Sequence, residues 1–169
     1  PKGLDHILFV LGLFLLSTGL APLLWQVTAF TVAHTITLGL SIYGVVSLPS
    51  SVVEPLIALS IAYIAIENLL TRTLHPWRVL VVFLFGLLHG LGFAGVLAGL
   101  GLPRTEFLTA LLSFNVGVEL GQLTVIGAAA LLLWPAMRRS WYRSRIVVPA
   151  SMAIALVGAW WTVTRVIGR

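Results

Sequence analysis

The chain has 169 residues, of which 59% are hydrophobic and only 9% are charged. Soluble domains carry about a quarter charged residues, so the composition excludes that class and predicts an integral membrane protein. The absence of cysteine excludes disulfides and thiolate chemistry. The net charge of +5 comes from basic residues in loops and at helix ends, which favours anionic lipid headgroups over nucleic acid as partners.

Apolar runs separated by proline, glycine or charged residues predict six transmembrane helices in a single domain, residues 1–169. Each run is close to the roughly 20 residues that a membrane helix needs. The spans are expected, in chain order, at about 3–20, 25–46, 52–70, 77–100, 105–134 and 146–167. The predicted fold class is therefore an all-α polytopic membrane bundle.

The basic residues orient this bundle. Two predicted loops, between spans three and four and between spans five and six, carry six arginines, and the opposite side carries four basic residues. The positive-inside rule then places the richer loops in the cytoplasm and both termini outside it. The two sets are Arg72, Arg78, Arg138, Arg139, Arg143 and Arg145 against Lys2, Arg104, Arg165 and Arg169.

Polar side chains interrupt the first three predicted spans. They are Asp5 and His6 at the outer mouth of the first span, His34 with Thr35 near the middle of the second, and Glu67 with Asn68 towards the cytoplasmic side of the third. An ionisable group at membrane depth costs roughly 2.5–3.5 kcal/mol on insertion scales, so each of these residues needs a partner or a function. Interhelical hydrogen bonding is the structural alternative for each of them.

The fourth and fifth predicted spans carry a second polar set. His89 lies near the middle of the fourth span, where Gly86 and Gly90 leave room for a neighbouring helix or a ligand. The fifth span has a polar stripe at the helical spacing i, i+4, i+7, formed by Asn115, Glu119 and Gln122. At about 1.5 Å per residue, the two central histidines and the first two stripe residues all fall near the membrane midplane.

Imidazole nitrogens combined with carboxylate or amide oxygens suit divalent nickel, cobalt or zinc, and the lack of thiolates argues against a Cu(I) site. We therefore predict a transition-metal site formed by Asp5, His6, His34, His89, Asn115 and Glu119. The residues expected around it or along a transport path are Thr35, Glu67, Asn68 and Gln122. The sequence places three other ionisable residues in structural roles: His75 in an interfacial turn, and Glu54 and Glu106 at helix starts.

Five segments of these spans occur in an order that resembles the HupE/UreJ family of bacterial membrane proteins, particularly its branch with an extracytoplasmic N-terminal region. They are residues 3–9, 30–38, 67–68, 85–90 and 114–122. The resemblance implies nickel or cobalt uptake across the bacterial inner membrane, for metalloenzymes such as hydrogenase or urease. Membrane lipids and the transported ion are then the expected partners.

Two functions stay open at this point, and a metal permease is the favoured one. The alternative is an intramembrane metal-dependent hydrolase that acts on a lipid or peptide bond, with Glu119 or Glu67 as general base. Neither a His-Glu-x-x-His motif nor a Gly-x-Ser-x-Gly elbow is present, which disfavours an enzyme. The choice of metal and the coupling ion are open. A homo-oligomer is also open, because the glycine pairs could pack helices within or between protomers.

Overall fold

The computed structural model describes residues 2–17, 19–98 and 106–168. Within these ranges the chain is helical and contains no β-strand. The helices are α1 (Lys2–Leu16), α2 (Leu20–Ile42), α3 (Ser50–Leu70), α4 (Arg78–Ala98), α5 (Phe107–Met137) and α6 (Val148–Ile167), with a π-helical turn at Arg143–Val147 before α6. The predicted turn between the fourth and fifth spans, with Arg104, lies outside the described residues.

The helix boundaries differ from the predicted spans most clearly around Pro22. The sequence predicts that the first helix runs to about residue 20 and that the second starts at about residue 25, whereas α1 ends at Leu16 and α2 begins at Leu20. Pro22 therefore lies in the first turn of α2 instead of in a loop. Proline is tolerated there because the first backbone N–H groups of a helix have no intrahelical acceptor.

The end of α2 is set by Gly44, which has a positive φ of 75°. Its N–H donates to the carbonyl of Ser41 at 3.0 Å, and the N–H of Val45 donates to the carbonyl of Leu40 at 2.9 Å. These two bonds form a Schellman motif, which needs a left-handed residue and therefore favours glycine. The second helix consequently stops at Ile42, about four residues before the predicted end at 46.

Consecutive helices run in opposite directions, as the order of their contacts shows. The α2–α4 contacts keep the same order along both helices, whereas the α3–α6 contacts reverse it. The pairs are Gln26–Arg78 and His34–Gly90 for the parallel pair, and Glu54–Arg165 and Asn68–Ser151 for the antiparallel pair. We call the two ends of the bundle the Asp5 end, where α1, α3 and α5 begin, and the Arg72 end, where α1 and α3 finish.

Polar side chains lie inside the bundle and apolar side chains cover its surface. Arg78, His34 and His89 are fully buried, whereas Leu131 and Leu156 are 79% and 70% exposed. This distribution is the one expected of a bundle surrounded by lipid. Four helical segments, Leu20–Ile42, Ser50–Leu70, Phe107–Met137 and Arg143–Ile167, are long and apolar enough to cross a membrane, and the apolar stretches in α1 and α4 are shorter. The predicted all-helical membrane bundle is confirmed.

Candidate functional site

Helices α2 and α4 lie backbone to backbone, and two glycines of α4 make this possible. A Cβ atom on Gly86 would collide with the carbonyl of Phe30, and one on Gly90 would collide with the carbonyl of His34. The Thr37 hydroxyl donates across the same contact to the carbonyl of Leu87 at 2.6 Å. Because glycine has no side chain, the helices approach closely enough to bring the faces that carry His34 and His89 together.

Three histidines from three helices meet inside the bundle. His6 on α1 lies with its ring centroid 5.6 Å from that of His34 on α2 and 5.0 Å from that of His89 on α4. His34 and His89 are fully buried and His6 is half-buried. The sequence predicted His34 and His89 near the midplane and His6 at the mouth, whereas the structure places His6 directly against both of the other rings. We call these three residues the histidine cluster.

His34 is fixed by a partner on α5. Its Nδ1 lies 3.0 Å from Oδ1 of Asn115, and the Asn115 amide donates from Nδ2 to the carbonyl of Leu111 at 2.8 Å. Asn115 was predicted as a direct metal ligand, whereas its side-chain oxygen here faces the imidazole ring. The other ring nitrogen of His34, Nε2, is buried and has no hydrogen-bond partner.

His89 is fixed in the same way by a partner on α3. Its Nε2 lies 3.0 Å from the hydroxyl of Ser60, which donates to the carbonyl of Ile57 at 2.7 Å. The remaining nitrogen, Nδ1, is buried and has no hydrogen-bond partner. Sequence reasoning did not pair Ser60 with His89, because periodicity within one helix does not reveal the neighbouring helix.

Asp5 forms an ion pair at the end of the bundle where α6 finishes. Its Oδ1 lies 2.8 Å from Nη2 of Arg165, and the Nη1 group of the same arginine donates to the carbonyl of Glu54 at 3.1 Å. Asp5, predicted as a metal ligand at the outer mouth, is only 4% exposed, and its carboxylate is paired with this arginine. Arg165, which the sequence counted as an orientation signal, is instead half-buried and paired with Asp5.

A cavity of about 290 Å³ connects the Asp5 end to the histidine cluster. Its walls are formed by residues of α1, α3, α4 and α6: Asp5, His6, Glu54, Ile57, His89, Gly92, Phe93 and Arg165. Glu54 was predicted to favour the helix dipole only, but its position places a second carboxylate on this cavity. On the opposite side of the cluster the buried rings of Phe9 and Phe30 pack against His89, with centroids 5.2 and 5.0 Å away.

Glu67 and Asn68, predicted on a transport path, belong to a separate polar network towards the Arg72 end. Nη1 of Arg78 lies 3.1 Å from Oε2 of Glu67, and both terminal nitrogens of Arg78 donate to Oδ1 of Asn68 at 3.2–3.3 Å. The Nε group of Arg78 donates to Oε1 of Gln26 at 3.1 Å. We call these four residues the arginine network. The sequence had treated Arg78 as a loop residue that orients the bundle, whereas it is fully buried.

Glu119, predicted as a metal ligand, and the path residues Gln122 and Thr35 make contacts away from the three rings. The Thr28 hydroxyl lies 3.5 Å from Oε1 of Glu119, and the Thr31 hydroxyl donates to Oε1 of Gln122 at 3.1 Å. Thr35 donates to a carbonyl of its own helix at 2.7 Å. The contacts of Glu119 and Gln122 join α2 to α5 and hold the helix that carries Asn115 beside His34. His75 is exposed in the turn before α4 and stacks on Trp77, as expected of an interfacial residue.

A second cavity, of about 580 Å³, lies between α1 and α5 and has an almost entirely apolar wall. It reaches His6 and is lined on α5 by Phe114, Gly117 and Gly121. Both of these glycines are exposed and have open space where a Cβ atom would be. The cavity therefore provides a lateral approach to the histidine cluster from the surface of the bundle.

Among the described residues, no group of three or more histidine, aspartate or glutamate side chains has the geometry to hold a metal ion. The histidine rings instead contact one another edge to face, with interplanar angles of 81° and 87° for His6 against His34 and His89. Two buried nitrogens without partners at this contact fit a cation ligand set, but the rings would have to turn to point at one ion.

Comparisons with known proteins place the chain in a family. The family model described as HupE / UreJ protein matches residues 1–165. Comparison with curated proteins and comparison with solved structures each gave no match. Since the family match covers almost the whole of a six-helix membrane bundle with a central histidine cluster, the chain belongs to the HupE/UreJ family.

Proposed function

We propose that the protein is a nickel or cobalt permease of the bacterial inner membrane and that the histidine cluster binds the ion during transport. Membership of the HupE/UreJ family supports this function. The observation that carries it is the meeting of His6, His34 and His89 at a point where two buried ring nitrogens have no hydrogen-bond partner. Unpaired polar atoms at membrane depth are costly, so their persistence favours a ligand-binding role.

The chemistry of the cluster suits a transported ion. Imidazole nitrogen binds divalent nickel and cobalt well, and this chain offers no thiolate that would retain a softer metal. A permease must also release its cargo, which requires binding that is favourable but not too strong. Rings that must turn before they can share an ion meet this requirement better than a rigid, complete coordination shell.

The shape of the interior favours entry from the Asp5 end. The smaller cavity leads from Asp5 and Arg165 to the cluster, whereas Phe9 and Phe30 pack on its other side. With Arg78 and Arg165 paired to carboxylates, five arginines remain at the Arg72 end, which favours a cytoplasmic position for that end by the positive-inside rule. Transport in this scheme requires a second conformation in which the two phenylalanines move apart.

Metal binding and uptake in a matched set of histidine variants test this proposal. The purified protein would be reconstituted into liposomes, and ⁶³Ni²⁺ or ⁵⁷Co²⁺ entry would be measured for wild type, for His34→Ala with His89→Ala, and for His75→Ala. His75 is the matched control because it is exposed and contacts only the turn around Trp77. We expect uptake and binding in wild type and His75→Ala, and loss of both in the double variant.

Circular dichroism and size-exclusion chromatography would show whether the double variant keeps its fold. Uptake by a folded double variant at the wild-type rate would show that these histidines do not carry the ion. Binding without uptake in wild type, under an ion gradient of either direction, would reject a permease while keeping the metal site.

The lateral cavity is the observation that favours an intramembrane metal-dependent hydrolase as the second candidate, because a lipid or peptide could reach His6 through it. The carboxylates named as its general base, Glu67 and Glu119, contact Arg78 and Thr28 in this structure. Mass spectrometry of vesicle lipids after incubation with the Zn²⁺-loaded protein would detect such an activity. Cleavage lost with His34→Ala and His89→Ala would favour the hydrolase over the permease.

A further inference from the structure

The hydrogen bonds around His34 determine which of its nitrogens carries the proton. The Asn115 amide is oriented by its own helix, since Nδ2 donates to the carbonyl of Leu111 at 2.8 Å. If the amide group were flipped, Oδ1 of Asn115 would lie against the carbonyl oxygen of Leu111, and neither oxygen carries a hydrogen to donate. Oδ1 therefore faces Nδ1 of His34 at 3.0 Å, and because a carbonyl oxygen only accepts, Nδ1 carries the hydrogen. The lone pair of the neutral ring lies on Nε2, which is buried without a partner.

The same reasoning gives the opposite result for His89. Ser60 has one hydroxyl hydrogen and donates it to the carbonyl of Ile57 at 2.7 Å. Its oxygen can then only accept from Nε2 of His89, 3.0 Å away, so Nε2 carries the hydrogen. The lone pair of His89 lies on Nδ1, which is also buried without a partner. The two helices thus present different ring nitrogens.

We infer that Asn115 and Ser60 are positioning residues that hold His34 and His89 in opposite tautomers, so that a divalent transition-metal ion is offered Nε2 of His34 and Nδ1 of His89. This inference rests on the proposed function for its ligand, and on hydrogen-bond geometry alone for the tautomers. Partners of this kind fix the orientation of metal-binding histidines, and their loss typically lowers metal affinity by about 10- to 100-fold. Asn115 accordingly acts through His34 and is not itself a ligand.

Histidine tautomers can be read directly by NMR in the metal-free protein. Wild type labelled with ¹⁵N-histidine would be purified with chelator in detergent micelles, and long-range ¹H–¹⁵N spectra would show which nitrogen of each ring is protonated. Single His34→Gln and His89→Gln variants assign the signals. We expect the Nδ1–H form for His34 and the Nε2–H form for His89. When Zn²⁺ is added as a diamagnetic probe, the largest shifts within these two rings should fall on Nε2 of His34 and Nδ1 of His89.

Variants then separate positioning from simple helix packing. In Ser60→Ala we expect His89 to populate both tautomers while His34 is unchanged. In Asn115→Leu we expect His34 to populate both tautomers while His89 is unchanged. Ni²⁺ affinity, measured by calorimetry, should fall about 10- to 100-fold in each. Ser151→Ala is the matched control, because it removes a buried interhelical hydrogen-bond partner of Asn68 without touching a ring nitrogen or the α2–α4 contact. It should leave both the tautomers and the affinity unchanged.

The possible failures of this inference and of the permease proposal are distinguishable. Wild-type rings that share one tautomer, or that average between two, would overturn the inference even if Ni²⁺ bound. An equal loss of affinity in Ser151→Ala would overturn it as well, since packing would then explain the effect. The expected tautomers without any Ni²⁺ binding would support the positioning roles and reject the permease.

Discussion

Two polar groups of residues lie inside the same apolar bundle, and they are built in opposite ways. In the arginine network the guanidinium group of Arg78 contacts Glu67, Asn68 and Gln26, so a buried charge is met by a carboxylate and two amide oxygens. In the histidine cluster, two buried nitrogens face neighbouring rings and have no hydrogen-bond partner. The arginine network pairs its buried cation with a carboxylate, whose Oε2 atom is held by the ion pair alone, whereas the histidine cluster holds two lone pairs that no cation or donor meets.

The difference shows how intramembrane polar residues can be sorted by their partners. The arginine network also joins distant parts of the chain, since the Asn68 amide donates to the carbonyl of Gly12 on α1 at 2.8 Å. Arg143 donates to the carbonyls of Asn68 and Thr71 at the end of α3. Such a network has the features of a structural element. We therefore expect changes there to lower stability, and changes in the histidine cluster to lower metal binding.

Removal of Arg78 should have the largest effect on stability. Arg78→Met leaves the carboxylate of Glu67 buried without its cation, and breaking a buried ion pair in this way costs about 3–5 kcal/mol. Thermal unfolding in detergent, followed by size-exclusion chromatography, measures the loss. The exposed Arg72, changed to methionine, is the matched control. Glu67→Gln added to Arg78→Met should recover part of the stability. An Arg78→Met variant as stable as wild type would show that the network does not stabilise the fold.

Loss of the Asp5–Arg165 pair should have an intermediate effect on stability. The pair lies on the wall of the cavity beside the histidine cluster, so it tests whether an ion pair near the cluster stabilises the fold as the arginine network does. Asp5→Asn removes a charged hydrogen-bond acceptor, a change of about 1.5–3 kcal/mol. A double-mutant cycle with Arg165→Met isolates the interaction, and Glu106→Gln is an exposed control. We expect coupling in the unfolding free energy. Additive effects of the two substitutions would contradict the pairing seen here.

Crowding of the α2–α4 contact at Gly90 should cause the smallest loss in the free energy of unfolding. Gly90→Ala places a methyl group against the backbone of His34, and overpacking of this kind costs about 1–3 kcal/mol. Gly117→Ala is the matched control, since a Cβ atom there meets open space and the change should fall within about 0.5 kcal/mol. Unfolding in SDS titrations measures both. Equal losses would mean that α2 and α4 do not approach through Gly90.

The sequence by itself determined the class of the protein and suggested the chemistry that we propose for it. Long apolar runs of about 20 residues with few charges indicate helices in lipid, because a helix satisfies its backbone hydrogen bonds within one segment. Histidines within those runs indicated metal chemistry, and helical spacing placed His34 and His89 near one depth. These conclusions depend only on composition and on the rise of 1.5 Å per residue along a single helix.

Only the tertiary structure decided which helices are neighbours, and this changed the role of several residues. Arg78 and Arg165, which counted as orientation signals, are partners of carboxylates inside the bundle. Asn115, a predicted ligand, instead faces a ring nitrogen of His34. Periodicity shows which residues share a face of one helix, but it does not show what that face meets. Polar groups inside a membrane take their function from the partner across the helix contact, so their roles became visible only when the helices were placed together.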